Sequence, residues 1–339
     1  FLEYLESGER DPEEITFMEP QAGGACRAGN IYNLLQRVLY RMAEQGQLEY
    51  AQIPVISLNL MGEEKHTGFR ITPSLLSGGI AAGCYGDLIM CLYQQVKPYE
   101  QNPGETDRIR SQVEKKLCES IRRHRNGRHT REKNYRYACE VFSKVPVKPG
   151  KKKRVGITGE IYMKYSKLGN DDIESFLLRQ GMEPYSGGFV NYCLYLVDTE
   201  RYKAEKYQHN PIMAKACAFV LHRLCEAQKH LLTVIGETDR FQTDLPFPEL
   251  KEKVQGILAE GCNTGDGWLI AAEVIQYVEK GCGSVLILHP FGCLVSHVCE
   301  RGILQRLHAR FPDVSIQTIE YDYDQSKTLR ESRILLAIS

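Results

Sequence analysis

The chain has 339 residues, 43 Lys+Arg against 43 Asp+Glu, and a hydrophobic fraction of 42%. This is ample for a buried core and excludes global disorder, since the apolar content is ordinary and no low-complexity tract occurs. No apolar run of roughly 18 residues and no signal peptide can be read from the sequence, so a membrane-free, cytoplasmic protein is expected. The chain opens on Phe1 rather than Met and reads as a fragment with upstream sequence missing.

In chain order, Ile31, Leu34, Leu35, Val38, Leu39 and Met42 recur at helical spacing after Asn30 and predict an amphipathic helix. PVISLN, residues 54–59, is a short β-rich run, and a Gly- and Cys-containing helix is expected over about 76–96. Residues 107–143 read as a helical stretch with a basic exterior. From Arg108 to Arg154 there are 17 Lys/Arg against 4 Asp/Glu, densest in IRRHRNGRHTR at 121–131. Such a run is either a solvated face or an electrostatic dock for an acidic or phosphate-bearing partner. No zinc knuckle, RNA-binding aromatic motif or recognition helix accompanies it, so nucleic acid is not favoured.

PVKPGKKKR, residues 146–154, has the Pro, Gly and charge of a linker and sets an expected domain boundary near residue 150. The 1–150 part has few strands and reads as an incomplete, helix-rich α/β domain. Over 151–339 strands and helices alternate. Strands are expected at 155–162, 284–289 and 314–321. A helix capped by Asn170 ends before Gly181, and further helices are expected at 211–232, 247–260, 266–280, 294–310 and 325–338. This pattern predicts a doubly wound parallel sheet of the Rossmann/flavodoxin-like kind, with ligands at the carboxyl ends of the strands.

Twelve cysteines in a chain without a secretion signal point to reduced thiols, by default buried small hydrophobes. Three stand apart. Cys26 in GGACRAGN, Cys262 in GCNTGDGW and Cys293 in HPFGC each lie in a Gly-containing loop before a predicted helix. A helix N-terminus lowers a thiol's pKa and donates N–H groups to sulfur, which suits an iron–sulfur ligand. Cys84, in AAGCYGD, is a weaker additional candidate. Cys193, Cys282 and Cys299 read as core or surface thiols, and no CxxC is present. Glu160, ending a strand in GITGEIY, is a catalytic candidate or a simple helix cap; His297, near Cys293, is a proton-donor candidate or a structural histidine. No P-loop and no dinucleotide-binding glycine motif is found.

GITGEIYMKYSKLGN, GCNTGDGWLIAAEVI, HPFGCLVSH and IEYDYDQS, together with GGACRAGN and GDLIMCLYQQVKPYE, resemble the C-terminal part of acyl-CoA dehydratase activase-related proteins. These are similar in turn to the cluster subunits of 2-hydroxyacyl-CoA dehydratases and to double-cubane cluster proteins. The chain departs from that pattern at Leu294-Val295-Ser296-His297, where the family often has proline and asparagine. The resemblance implies an ATP-dependent two-component system, in which an ATP-hydrolysing activase domain or subunit delivers low-potential electrons to a cluster, [4Fe-4S] or double cubane. It implies Cys26, Cys262 and Cys293 as ligands. It also implies either an electron-acceptor/reductase component acting on a small substrate or a lyase dehydrating a 2-hydroxyacyl-CoA. From the residues alone, a non-enzymatic partner-docking module is the further alternative.

Overall fold

The computed structural model describes residues 2–20, 27–58, 72–322 and 324–339. It is mixed α/β, rich in helix, with two small parallel sheets. The chain divides into two compact units, Phe1–Ile71 and Thr72–Ser339.

In the first unit, helix α1 (Leu2–Glu6) precedes strand β1 (Phe17–Pro20), helix α2 (Ile31–Glu44) and strand β2 (Val55–Leu58). β1 and β2 pair in parallel, with Phe17 opposite Val55. The core is Leu5, Ile15, Phe17, Leu35, Leu39, Tyr50 and Ile53. The buried stripe of α2 is narrower than its apolar pattern suggests. Leu35, Leu39 and Ala43 are buried, while Ile31 and Leu34 are exposed.

The second unit begins with α3 (Pro73–Val96), capped by Thr72, whose hydroxyl accepts from the Leu75 N–H. Among the described residues, the stretch Ser74–Tyr99 is long and apolar enough to cross a membrane, which the sequence reading missed. Its apolar residues have another use: Ala81, Cys84, Tyr85, Leu88, Leu92 and Val96 are buried at i, i+3/i+4 spacing in this unit's core. Residues 107–143 are two helices, α4 (Glu105–Arg122) and α5 (Arg128–Ser143), not one. The chain turns between them through His124, at φ 54°.

The boundary expected near residue 150 falls inside this unit. Lys148 N donates to Tyr99 O at 2.7 Å, Lys152 N donates to the Tyr99 hydroxyl at 3.1 Å, and Arg154 pairs with Glu183 at 2.7 Å. The helices α3 to α5 share one apolar core with later elements, so the Pro/Gly/Lys composition of 146–154 marks a surface connection rather than a domain break.

Strand β3 (Arg154–Gly159) leads into short α6 (Ile161–Tyr165) and α7 (Ile173–Arg179), then β4 (Glu183–Ser186). Asn170 accepts from the Ile173 N–H as expected, although Asp171 and Asp172 stand between it and the helix at positive φ. Next come α8 (Phe189–Lys206), α9 (Pro211–Gly236), the short α10 (Phe247–Glu252) and α11 (Gly267–Glu279). Strand β5 (Ser284–Pro290), α12 (Leu304–Arg310), β6 (Ser315–Tyr321) and α13 (Lys327–Ile338) complete the unit. The sheet order is β4-β3-β5-β6, every pair parallel. Alternate residues of β5 enter different cores. Val285 and Ile287 join the cluster with α3, α8, α9 and α11, while Leu286 and Leu288 join Ile173, Leu177, Ile334 and Ile338. A strand covered on both faces has to be apolar throughout, which accounts for the unbroken VLIL run.

Candidate functional site at the carboxyl edge of the sheet

Three connections meet where β3 and β5 end. β3 closes on Gly159, at φ 130°, with a backbone position that a Cβ would drive into the Leu288 backbone. Gly159 therefore lets β3 press against β5 at their carboxyl ends. Glu160 follows, its N–H donating to Leu288 O at 2.8 Å and its side chain accepting from Met163 N at 3.0 Å, so it caps α6. Helix α11 runs back along the sheet into β5, which sets its N-terminus and the preceding loop, 261–266, at the same edge. Gly265 (φ 57°) and Gly267 (φ 36°) turn that loop, and a Cβ on Gly265 would stand 2.8 Å from Val295 Cγ2. The loop bearing Cys262 thus lies on the segment bearing Cys293.

Beyond β5 the chain passes Gly292 and Cys293 into one π-helical turn, Ser296–Glu300. The Cys293 carbonyl accepts from the His297 N–H at 3.1 Å and faces His297 Nδ1 at 2.7 Å. His297 Nε2 stands 3.7 Å from Glu320, which also pairs with Arg301 at 2.9 Å. His297 thus lies between the Cys293 loop and Glu320 of β6. Its neighbour His289 is fully buried, with Nε2 lacking a hydrogen-bond partner, and burial lowers its pKa so that the ring is neutral near pH 7.

Thiols and carboxyls converge here, with the buried Lys164 ammonium bound to Glu273 beside them. Cys299 lies within electrostatic reach of Cys262, Cys293, Glu300 and Asp266. Cys293 is within reach of Glu300 and Glu160, and Asp266 of Glu160, Glu300 and Glu273. Burial, reinforced by these neighbours, pushes Glu300 up to about 8 and Asp266 well above the carboxylate range. Glu160 is raised by burial alone against two backbone N–H groups.

The Cys293 thiol does sit at a helical N-terminus, with the Ser296 N–H and hydroxyl directed at its sulfur. Its pKa is nevertheless raised, contrary to the expectation from the helix dipole, because burial and the nearby Glu300 and Glu160 outweigh those donors. Cys299 is pushed up to about 11, by burial first.

Of the residues singled out in the sequence, Cys262, Cys293, Glu160 and His297 are brought to this edge. Cys26 lies outside the described residues. Cys84 is not at the edge: it is buried in α3 in the surroundings of Asp87, Tyr135, Arg131 and Cys193. The sequence singles out neither Asp266 nor Glu300 and gives Cys299 only as a core or surface thiol. Only the glycines flanking Asp266 hinted at a special position. Among the described residues, no three His, Cys, Asp or Glu side chains gather tightly enough to hold a single metal ion. The donor chemistry, three thiols with a buried carboxyl lacking a hydrogen-bond partner, suits a multi-iron cluster, in which iron and sulfide fill the space between thiolates. No protein family, no curated protein and no solved structure matches the chain.

Proposed function

We propose that this chain is the iron–sulfur electron-acceptor component of an ATP-dependent two-component system in the cytoplasm. An ATP-hydrolysing activase would reduce it, and it would pass low-potential electrons to a small substrate. The observation that carries this reading is the convergence of Cys262 and Cys293, distant in sequence, on one edge of the parallel sheet around Cys299. The strand order β4-β3-β5-β6, with apolar cores on both faces, supports a doubly wound, Rossmann/flavodoxin-like sheet, whose ligand position is this edge. Motifs around Cys262 and Cys293 are those that resemble the activase-related proteins.

Cys262 and Cys293 would hold the cluster, [4Fe-4S] or double cubane, with Cys26 as the third ligand that the resemblance implies. A bound cluster supplies one-electron chemistry. The chain's own groups do the rest. The Ser296 N–H and hydroxyl orient the Cys293 sulfur, and burial raises the pKa of the Glu300 and Asp266 carboxyls. Arg122, Arg123, Arg125 and Arg128 are exposed on the α4–α5 turn and would steer an acidic face of the activase.

The buried Glu300 carboxyl, its pKa pushed up to about 8, favours a second reading, a 2-hydroxyacyl-CoA dehydratase, because a hydroxyl leaves as water only with a proton donor beside it. Anaerobic, cluster-loaded protein mixed with its activase, ATP and a weak reductant tests both. The first reading expects ATP-dependent bleaching of cluster absorbance with no turnover of a 2-hydroxyacyl-CoA. Turnover of that substrate selects the dehydratase, and reduction at the same rate without ATP contradicts the two-component account.

A further inference from the structure

We propose that the cavity between α3, α8 and α9 is a binding site for a small protonated amino alcohol, independent of the iron–sulfur reading. The cavity measures about 20 Å³, room for roughly one or two water-sized groups. Asp87 of α3, Asp244 on the connection before α10 and Asn191 of α8 contribute its polar wall, and Met90, Leu231 and Ile235 an apolar one.

The two carboxyls are fixed on successive backbone groups at the start of α8. The Gly188 N–H donates to Asp244 at 3.1 Å, and the Phe189 and Val190 N–H groups donate to Asp87 at 2.7 and 3.0 Å. Residue 188 has to be glycine, since a Cβ there would run into Asp87 Oδ2. The Tyr185 hydroxyl and the Gln276 amide also donate to Asp244, at 2.6 and 3.2 Å. The cation acting on both carboxyls is the Lys164 ammonium, already held by the two Glu273 oxygens at 2.7 and 2.8 Å. Two half-buried carboxyls therefore face one cavity with neutral groups bonded to them. Like charges so placed favour a cation that brings its own N–H donors.

The deep end of the cavity lacks an acceptor. Asn191 is 1% exposed, and its Nδ2 has no hydrogen-bond partner. A relay sets its orientation: the Phe247 N–H donates to Gln228 Oε1 at 2.9 Å, and Gln228 Nε2 donates to Asn191 Oδ1 at 2.6 Å. The free end of the amide is thus a donor, which an ammonium alone would leave unpaired at a cost. A hydroxyl on the carbon next to the aminomethyl group accepts from it, while the ammonium stays between the carboxyls at the mouth and the carbons meet the apolar wall. A simple alkylamine or a diol satisfies one half of the site each.

The test titrates the full chain at pH 8, above the value of about 7 to which burial raises Asp87. The probes are ethanolamine hydrochloride, ethylamine hydrochloride and ethylene glycol at constant ionic strength, with binding read by calorimetry and by hydrogen exchange over residues 187–192. The proposal expects ethanolamine to bind at least about tenfold more tightly than either partial analogue, the worth of one buried hydrogen bond, and to slow exchange at Phe189 and Val190. Asp244→Asn should weaken ethanolamine by a similar factor. Asn191→Asp keeps the acceptor for Gln228 but removes the free donor, and should abolish the preference for ethanolamine over ethylamine. Equal affinity for the two amines in wild type, no binding of ethanolamine, or a preference that survives Asn191→Asp would overturn the proposal. Should the variants fail to fold, exchange in the wild type decides: ethanolamine binding without protection of 187–192 places the ligand elsewhere and refutes the site. None of these outcomes bears on iron binding, so the two readings fail separately.

Discussion

Lys164→Met should destabilise the second unit strongly at neutral pH. Lys164 and Glu273 each have side chains only 3% exposed, and the ammonium touches both carboxylate oxygens, at 2.7 and 2.8 Å. The other bond to Glu273 comes from the Thr158 hydroxyl at 2.5 Å. These groups join α6, α11 and β3, the elements that carry Glu160, the Cys262 loop and Gly159. Methionine keeps the length of the lysine stem but strands a buried carboxylate with a single donor. Removing one partner of a buried pair costs about 3–5 kcal/mol, whereas replacing both by neutral groups of similar volume is close to neutral. Lys164→Met should therefore lose about 3–5 kcal/mol, and Lys164→Met/Glu273→Gln should recover most of it, a coupling well above 1 kcal/mol. Guanidinium unfolding at pH 7, followed by circular dichroism, reads both numbers. A single variant within about 1 kcal/mol of wild type, or a double variant that costs the sum of the singles, would refute the reasoning.

Three further outcomes follow from the same structure. Gly159→Ala, at φ 130° with a Cβ aimed into the Leu288 backbone, should cost more than about 2 kcal/mol and loosen the cleft edge; a melting temperature equal to wild type would contradict that. Trp268, the sole tryptophan, is 1% exposed and packs edge-on against Tyr195 at 5.1 Å, so native emission should be blue-shifted and Trp268→Ala should cost about 3–5 kcal/mol; red-shifted native emission would place the ring in water. Asp87, held up to about 7 by burial and then by Asp244 against N–H groups of Val190 and Phe189, contributes stability that is present below pH 4 and lost as pH rises through 7. Asp87→Asn should flatten the stability profile between pH 4 and 8 by up to about 4 kcal/mol, and an unchanged slope would show that Asp87 does not titrate in this window.

What the sequence disclosed depended on how local its signals were. The VLIL run, the Gly-flanked cysteines and the alternation after residue 154 are local, and β5, β6 and the positions of Cys262 and Cys293 follow from them. Strand β4 is not legible in the sequence, because Glu-Pro-Tyr-Ser carries no alternating apolar pattern; its buried Glu183 is paired from β3 by Arg154 and accepts from the Tyr99 hydroxyl. The boundary at 150 failed for a related reason: composition reported a surface loop, whereas the core shared by α3 to α5 with α8, α9 and α11 is a long-range property. Cys299 and Glu300 were hidden because HVCER reads as ordinary helix, and only the inward turn of its polar residues distinguishes it. The rise in the Cys293 pKa is equally invisible, since it comes first from burial and then from Glu300 and Glu160, all of them set by the fold.

The central claim is that the sheet edge around Cys262 and Cys293 binds iron and sulfide. Its most direct measurement is iron and acid-labile sulfide per chain in anaerobically reconstituted wild type, Cys293→Ser and Cys217→Ser. The account predicts about equal iron and sulfide, bound at several atoms per chain, in wild type and Cys217→Ser, and a severalfold loss in Cys293→Ser. Iron-free wild type, or full retention in Cys293→Ser, would contradict it.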